Sequence, residues 1–274
     1  MASVHDNRAR AGAHLPAADG LRGLLALLVL AKHFAERFGL LGLHWPSQIA
    51  VCGFFVLSGY LLTRNWDGRF GLFLIRRFVR LWPVYALTLA IGYGLANLPP
   101  EWTQFLWYPV LGPNAKPEIN VPIWSLRIEA WAMLFMPFFV WATASGPWRL
   151  LAGLTGIALA SAVYTKFFFG FLFLAGAAAS RKEFRNRFLE SACPQWIGSI
   201  SYSLYLTHWL VFEFAQRCFG RIGLLGSLPL TFLIAWLVWR YVETPSIRLS
   251  RRFRARGVVV AAPGAPFPVI DAIR

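Results

Sequence analysis

What most constrains this chain is a series of apolar segments separated by bursts of arginine. The segments cover residues 21–38, 48–63, 72–95, 123–143, 148–164, 167–180, 197–219 and 224–241. A helix needs about 20 mostly apolar residues to cross roughly 30 Å of hydrocarbon. In lipid every backbone group must be satisfied internally, so spanning segments of this length are helices. The expectation is an all-α fold, a polytopic integral membrane helical bundle with about eight transmembrane helices. The second and sixth segments are short, which suits tilted, broken or re-entrant helices.

Charge supports this reading. Charged residues make up 14 % of the chain and hydrophobic ones 57 %, against about 25 % charge in a soluble domain. The net charge is +15, which in a soluble protein would point to nucleic acid. Here the basic residues fall on one side of eight alternating spans: in both tails and in the connections after spans two, four and six. The opposite side receives Arg37, Lys116, Lys166, Arg217 and Arg221. Such an asymmetry places both termini in the cytoplasm of a multi-pass cell-membrane protein. The partner implied is the lipid bilayer, not nucleic acid. Residues 1–18 read as a flexible cytoplasmic tail with no cleavage site after the first apolar run. Residues 19–247 read as the membrane domain, and 248–274 as a basic, then low-complexity, cytoplasmic tail. Cys52, Cys193 and Cys218 have no spacing that makes a disulfide framework or a thiolate metal site, and no metal is expected.

Ionisable groups inside such segments are costly and mark sites or pathways. Arg22 and His33 lie eleven residues apart in the first span. Eleven helical steps return to within about 20° of one face and rise about 16 Å. Arg22 is then near one membrane surface and His33 deep, on the same stripe, flanked by Lys32 and Glu36. Arg77 and Arg80, preceded by Arg76, are i and i+3 at a membrane edge. They serve either as a positive-inside anchor or as a clamp for phosphate, which arginine forks bind bidentately. Glu129, two residues after Arg127, sits in the fourth span and needs a buried cation, with His33 or Arg127 as candidates. Tyr205 precedes His208 by one turn in the seventh span. The stretch from Gly53 through Ser58 to Gly59 permits close helix approach. Glycine-rich nucleotide loops, zinc-protease and nucleophile-elbow motifs are absent from the sequence, so nucleotide hydrolysis and metallopeptidase chemistry have no support.

Taken together, these segments resemble the membrane-bound acyltransferase-3 family, the O-acetylases and O-acyltransferases of bacterial polysaccharides, lipopolysaccharide, nodulation factors and macrolides. The resemblance rests on Leu21-Arg22-Gly23 running to His33, the stretch from Gly53 to Leu61, and Arg76-Arg77-Phe78-Val79-Arg80-Leu81-Trp82-Pro83. It continues with Trp124-Ser125-Leu126 before Glu129, Ser201-Tyr202-Ser203-Leu204-Tyr205-Leu206 before His208, and Val242-Glu243-Thr244-Pro245. These occur in the family's order across residues 17–252.

The resemblance implies acyl transfer from acyl-CoA, acetyl-CoA by default, to a hydroxyl of a saccharide, glycan, macrolide or other acceptor. It implies His33 as catalytic base with Arg22 in the same motif, Glu129 at an acidic position important to activity, and Arg77 and Arg80 engaging the donor. Two features depart from the family: eight spans stand where about ten are usual, and Arg127 occupies a position that is commonly small or apolar. The rival class is a transporter or flippase, which would also carry Arg, His and Glu along a polar path.

Overall fold

The structure, a computed structural model, describes residues 15–39, 44–99, 119–144 and 146–253. Its elements are α1 (Pro16–Arg37), α2 (His44–Arg64), α3 (Phe70–Ala96), α4 (Ile123–Leu134), α5 (Met136–Thr143) and α6 (Pro147–Val163). A 3-10 turn (Thr165–Phe169), α7 (Gly170–Ala179), α8 (Ala192–Val238), a π turn (Trp239–Glu243) and α9 (Thr244–Arg251) follow. The described residues are therefore helical, as the apolar segments require. By length and composition, two helices are long and apolar enough to cross a membrane, Phe70–Ala96 and Ala192–Arg251. The bent pair Ile123–Leu134 and Met136–Thr143 is a third candidate.

The boundaries differ from the sequence reading in instructive ways. Helix α1 starts at Pro16, inside the expected tail, and Ala17 and Ala18 are buried. Proline is suited to a helix's first turn, where its missing N–H has no partner to lose. At the other end, Arg248 and Arg251 lie in the last turns of α9. The fourth apolar segment is bent by 62° between α4 and α5. Pro137 lies just past the break, and its ring excludes the carbonyl four residues earlier. The sixth is a 3-10 turn followed by a ten-residue helix. Residues 1–14, 254–274 and most of the connection 96–121, which the sequence offers as a long outward loop suited to acceptor contact, lie outside the described residues.

Helix α8 is not one rod. The rings of Trp196 and Phe232 stack with centroids 6.3 Å apart. Thirty-six residues of straight helix would hold them about 54 Å apart, so the chain doubles back between them. The turn is Gly220, at φ 59° and ψ −146°, backbone that essentially only glycine adopts. The two arms match the seventh and eighth apolar segments.

The first arm of α8 runs parallel to α1. Gly23 abuts Gly198, His33 meets His208, and Arg37 meets Glu213. The approach is close because a Cβ on Gly198 would overlap the Asp19 carbonyl oxygen. Across the bundle, α2 and α7 make a reciprocal contact of the same kind. A Cβ on Gly59 would overlap the Phe173 carbonyl oxygen, and one on Gly176 that of Val56.

Polar contacts define two ends. At one, Arg64 reaches the Ser180 carbonyl at 3.3 Å, Tyr60 donates to the Lys182 carbonyl at 3.0 Å, and Arg181 binds the Thr143 carbonyl. At the other, Arg37 binds Glu213 and Gln216, and Arg217 binds the Leu95 carbonyl. Helices α1, α3 and the first arm of α8 finish at the second end, and α2, α5 and α7 at the first. Between the ends lies an apolar core that includes Val29, Phe55, Met136, Phe173 and Leu206.

Candidate active site

A cavity of about 90 Å³ opens among α1, α2, α3, α4 and the first arm of α8. Three arginines line it: Arg22 from α1, and Arg77 and Arg80 from α3. The i, i+3 spacing expected from sequence thus turns both α3 guanidinium groups to one space. Glu129, Ser58, Ser125, Ser201, Tyr202 and Tyr205 supply the other polar lining groups, and Phe54, Phe55, Leu57 and Leu126 part of the apolar wall.

The arginines differ in what they already hold. Arg22 pairs with Asp19 at 3.0 Å, one turn away. Arg77 donates from Nη2 to Glu129 Oε1 at 2.5 Å, and its Nε lies 3.3 Å from Met133 Sδ. The guanidinium of Arg80 makes no hydrogen bond or ion pair among the described residues. Half-buried in the cavity wall with no direct ion pair, Arg80 is the group most ready for an incoming anion. Arg76 does not join the set. Its Nη1 binds Asp67 Oδ2 at 2.5 Å, because one residue of helix rotates it about 100° from Arg77.

Glu129 corrects an expectation. Its cation is Arg77, not His33 or Arg127, and Ser58 Oγ donates to the same carboxylate oxygen at 3.3 Å. Two residues of helix put Arg127 about 200° from Glu129, and Arg127 is buried away from the cavity. Glu36 pairs with Lys32 at 2.6 Å, one turn away on α1.

The partner of His33 is His208. His33 Nδ1 and His208 Nε2 are 2.9 Å apart, with ring planes 10° from parallel. Both are buried, at 9 % and 1 % exposure. Trp209 meets His33 edge-on at 5.4 Å, and Arg37 lies 4.5 Å over the Trp209 ring. The pair lies one helical turn beyond the cavity lining. Tyr205 stands between, lining the cavity with its ring 6.0 Å from His208. Its hydroxyl is 2.7 Å from Ser125 Oγ and donates to the Pro122 carbonyl at 3.3 Å. Arg22 and His33, expected on one stripe, are therefore divided between the cavity and this buried pair.

Two groups that the sequence offered only as parts of longer motifs, not as site residues, also stand here. Tyr202 lines the cavity and donates to the Leu81 carbonyl at 2.8 Å. Glu243, 3 % exposed in the π turn, accepts from Ser203 Oγ at 2.6 Å. Its signal was an acidic residue closing the last apolar segment. π turns inside helices occur often at functional sites.

The arrangement offers cations for an anionic ligand, hydroxyls at the cavity end nearest the histidines, and a buried imidazole pair one turn further. Known proteins are similar to parts of this chain. The acyltransferase 3 family, described as an acyltransferase domain, matches residues 15–192. The peptidoglycan O-acetyltransferase OatA of Listeria monocytogenes is 30 % identical over 186 residues, covering 55 % of this chain and 28 % of OatA. The acyltransferase MdmB of Streptomyces mycarofaciens is 30 % identical over 156 residues, 46 % of this chain and 39 % of MdmB. Protein 2 in the picA locus of Rhizobium radiobacter is 38 % identical over 82 residues, 27 % of this chain and 41 % of that protein. The chain spans well under two thirds of each relative's length, and no solved structure matches. The family match covers α1 to α7, which bring His33, the three cavity arginines and Glu129, while α8 beyond it adds Tyr205 and His208: the chain belongs to the acyltransferase 3 family.

Proposed function

We propose that this protein is a membrane O-acyltransferase that moves an acyl group, acetyl by default, from acyl-CoA to a hydroxyl of a saccharide or other cell-envelope acceptor. The observation that carries this reading is the convergence of Arg22, Arg77 and Arg80 on one cavity, with Arg80 uncommitted and the His33–His208 pair one turn beyond. Arginine forks suit the phosphates of coenzyme A. The printed name of OatA, a peptidoglycan O-acetyltransferase, favours acetyl and a glycan acceptor.

The bundle is read as eight spans, with the hairpin at Gly220 counted as two. The alternating ends of the helices support that count, since α1 and the first arm of α8 run parallel with five segments between them. The arginine-rich end then faces the cytoplasm, as do both termini, and the donor enters from that side. An acyl thioester is already activated, so the protein must hold it, remove a proton from the acceptor and stabilise the oxyanion. His33 takes the acceptor's proton as the oxygen attacks the thioester carbonyl carbon. The tetrahedral intermediate collapses, the C–S bond breaks, and the thiolate recovers a proton to leave as free coenzyme A. The Ser125 and Tyr205 hydroxyls are the donors nearest the histidines for the oxyanion.

The test is thiol release from acetyl-CoA by membranes holding the wild type or His33→Ala, with host glycans and small metabolites as acceptors and mass spectrometry of the products. Histidine-dependent release with a product gaining one acetyl group supports the reading. Equal release from both proteins overturns it. No release from either, with movement of a solute across the membrane, favours a transporter.

A further inference from the structure

We propose that His208 is a positioning residue for His33, fixing its tautomer so that Nε2 carries the lone pair that receives the acceptor's proton. This rests on the reading of His33 as the base.

The geometry assigns each hydrogen in turn. His208 Nδ1 lies 3.1 Å from the Leu204 carbonyl oxygen, one turn back on α8. A carbonyl only accepts, so Nδ1 of His208 carries its hydrogen. A neutral imidazole has one N–H, so Nε2 of His208 is an acceptor. His33 Nδ1, 2.9 Å away, must then be the donor, and Nε2 of His33 is left with a free lone pair. The order is Leu204 carbonyl, His208, His33, substrate. In serine hydrolases a carboxylate holds the base histidine this way, and losing the correct tautomer is costly even when the geometry survives. Here a second imidazole, itself pinned by a backbone carbonyl, takes the carboxylate's place.

The pair also gives the proton a second home. When His33 Nε2 gains the acceptor's proton, the hydrogen on Nδ1 can cross to His208 Nε2. His208 then holds the positive charge, with its Nδ1–H still on Leu204, and His33 is neutral with its hydrogen on Nε2. The reverse transfer restores the start when the thiolate leaves with the proton. No group outside the pair is needed, and the pair holds one added proton at most.

Packing holds the two rings against each other. Phe212 meets His208 edge-on at 5.9 Å and Trp209 does the same to His33 at 5.4 Å. Such packing alone would be satisfied by any flat ring, which separates the two roles experimentally. His208→Phe keeps a ring and removes both nitrogens. His208→Gln loses the ring but can present an amide oxygen to His33 Nδ1.

The experiment compares both variants with wild type in membranes, using acetyl-CoA and the same pool of host glycans and small metabolites as acceptors, after checking equal insertion and thermal stability. The expected result is that His208→Phe lowers kcat by about 100-fold or more with little change in KM for acetyl-CoA, while His208→Gln stays within about tenfold of wild type. The double variant His33→Ala/His208→Phe should be no slower than His33→Ala, since His208 acts through His33. The proposal is overturned if His208→Phe keeps wild-type kcat, or if Gln rescues no better than Phe in folded protein. Activity in His33→Ala overturns the base reading itself. Loss in His33→Ala with full activity in His208→Phe overturns only the pairing.

Discussion

Arg77 and Glu129 join α3 to α4 through a 2.5 Å ion pair in the cavity wall. Both side chains are largely withdrawn from solvent, at 20 % and 19 % exposure, so each neutralises a charge that would otherwise be stranded. Removing one partner of such a pair costs about 3–5 kcal/mol, whereas replacing both with apolar groups is often neutral. Arg77→Met should therefore lower the thermal midpoint in detergent by several degrees, and Arg77→Met/Glu129→Met should recover most of it. A double mutant as unstable as the single would show that the pair is not a mutual neutraliser.

Arg80 should behave differently, because no hydrogen bond or direct ion pair ties its guanidinium to a neighbour, and its charge reaches the buried Glu243 only at longer range. Arg80→Gln is expected to leave thermal stability nearly unchanged and to raise KM for acetyl-CoA about tenfold, the loss of one charge-assisted contact. A short acetyl thioester without phosphates is the control, and its KM should not respond. Equal effects on both donors would remove Arg80 from phosphate binding.

The family order of the motifs and the helical fold were legible because they rest on local signals: apolar runs, arginine bursts and short spacings. The i, i+3 pair Arg77 and Arg80 was readable for the same reason. What stayed hidden depends on which helices touch. Glu129 required a cation, but only the placing of α4 across a cavity from α3 selects Arg77 over the neighbouring Arg127 or the attractive His33. His33 and His208 stand 175 residues apart, and nothing local joins them. Their contact follows from the parallel packing of α1 on α8, set by Gly23 and Gly198.

That packing makes glycine the vulnerable residue. Gly198→Ala would drive a methyl group into the Asp19 carbonyl, and separating the helices would part His33 from His208. The expected outcome is a large fall in activity together with reduced stability, since backbone cannot yield as a flexible side chain does. Gly226→Ala, where a Cβ meets nothing within 4 Å, should change stability little. Kinetics and melting curves on the two variants, side by side, check the contrast.

Orientation can be read from the native cysteines. Cys193 and Cys218 are both exposed and sit near opposite ends of the first arm of α8. Twenty-five residues of helix separate them by about 37 Å, more than the roughly 30 Å of hydrocarbon. With Cys52 replaced by Ala, a membrane-impermeant maleimide added to intact cells should label Cys218 and spare Cys193. Permeabilising the cells should expose Cys193 as well. The reverse pattern would place the arginine-rich end outside and require the donor cavity to open away from the cytoplasm. Labelling of both from one side would show that the arm does not cross the membrane, and the eight-span reading would fall with it.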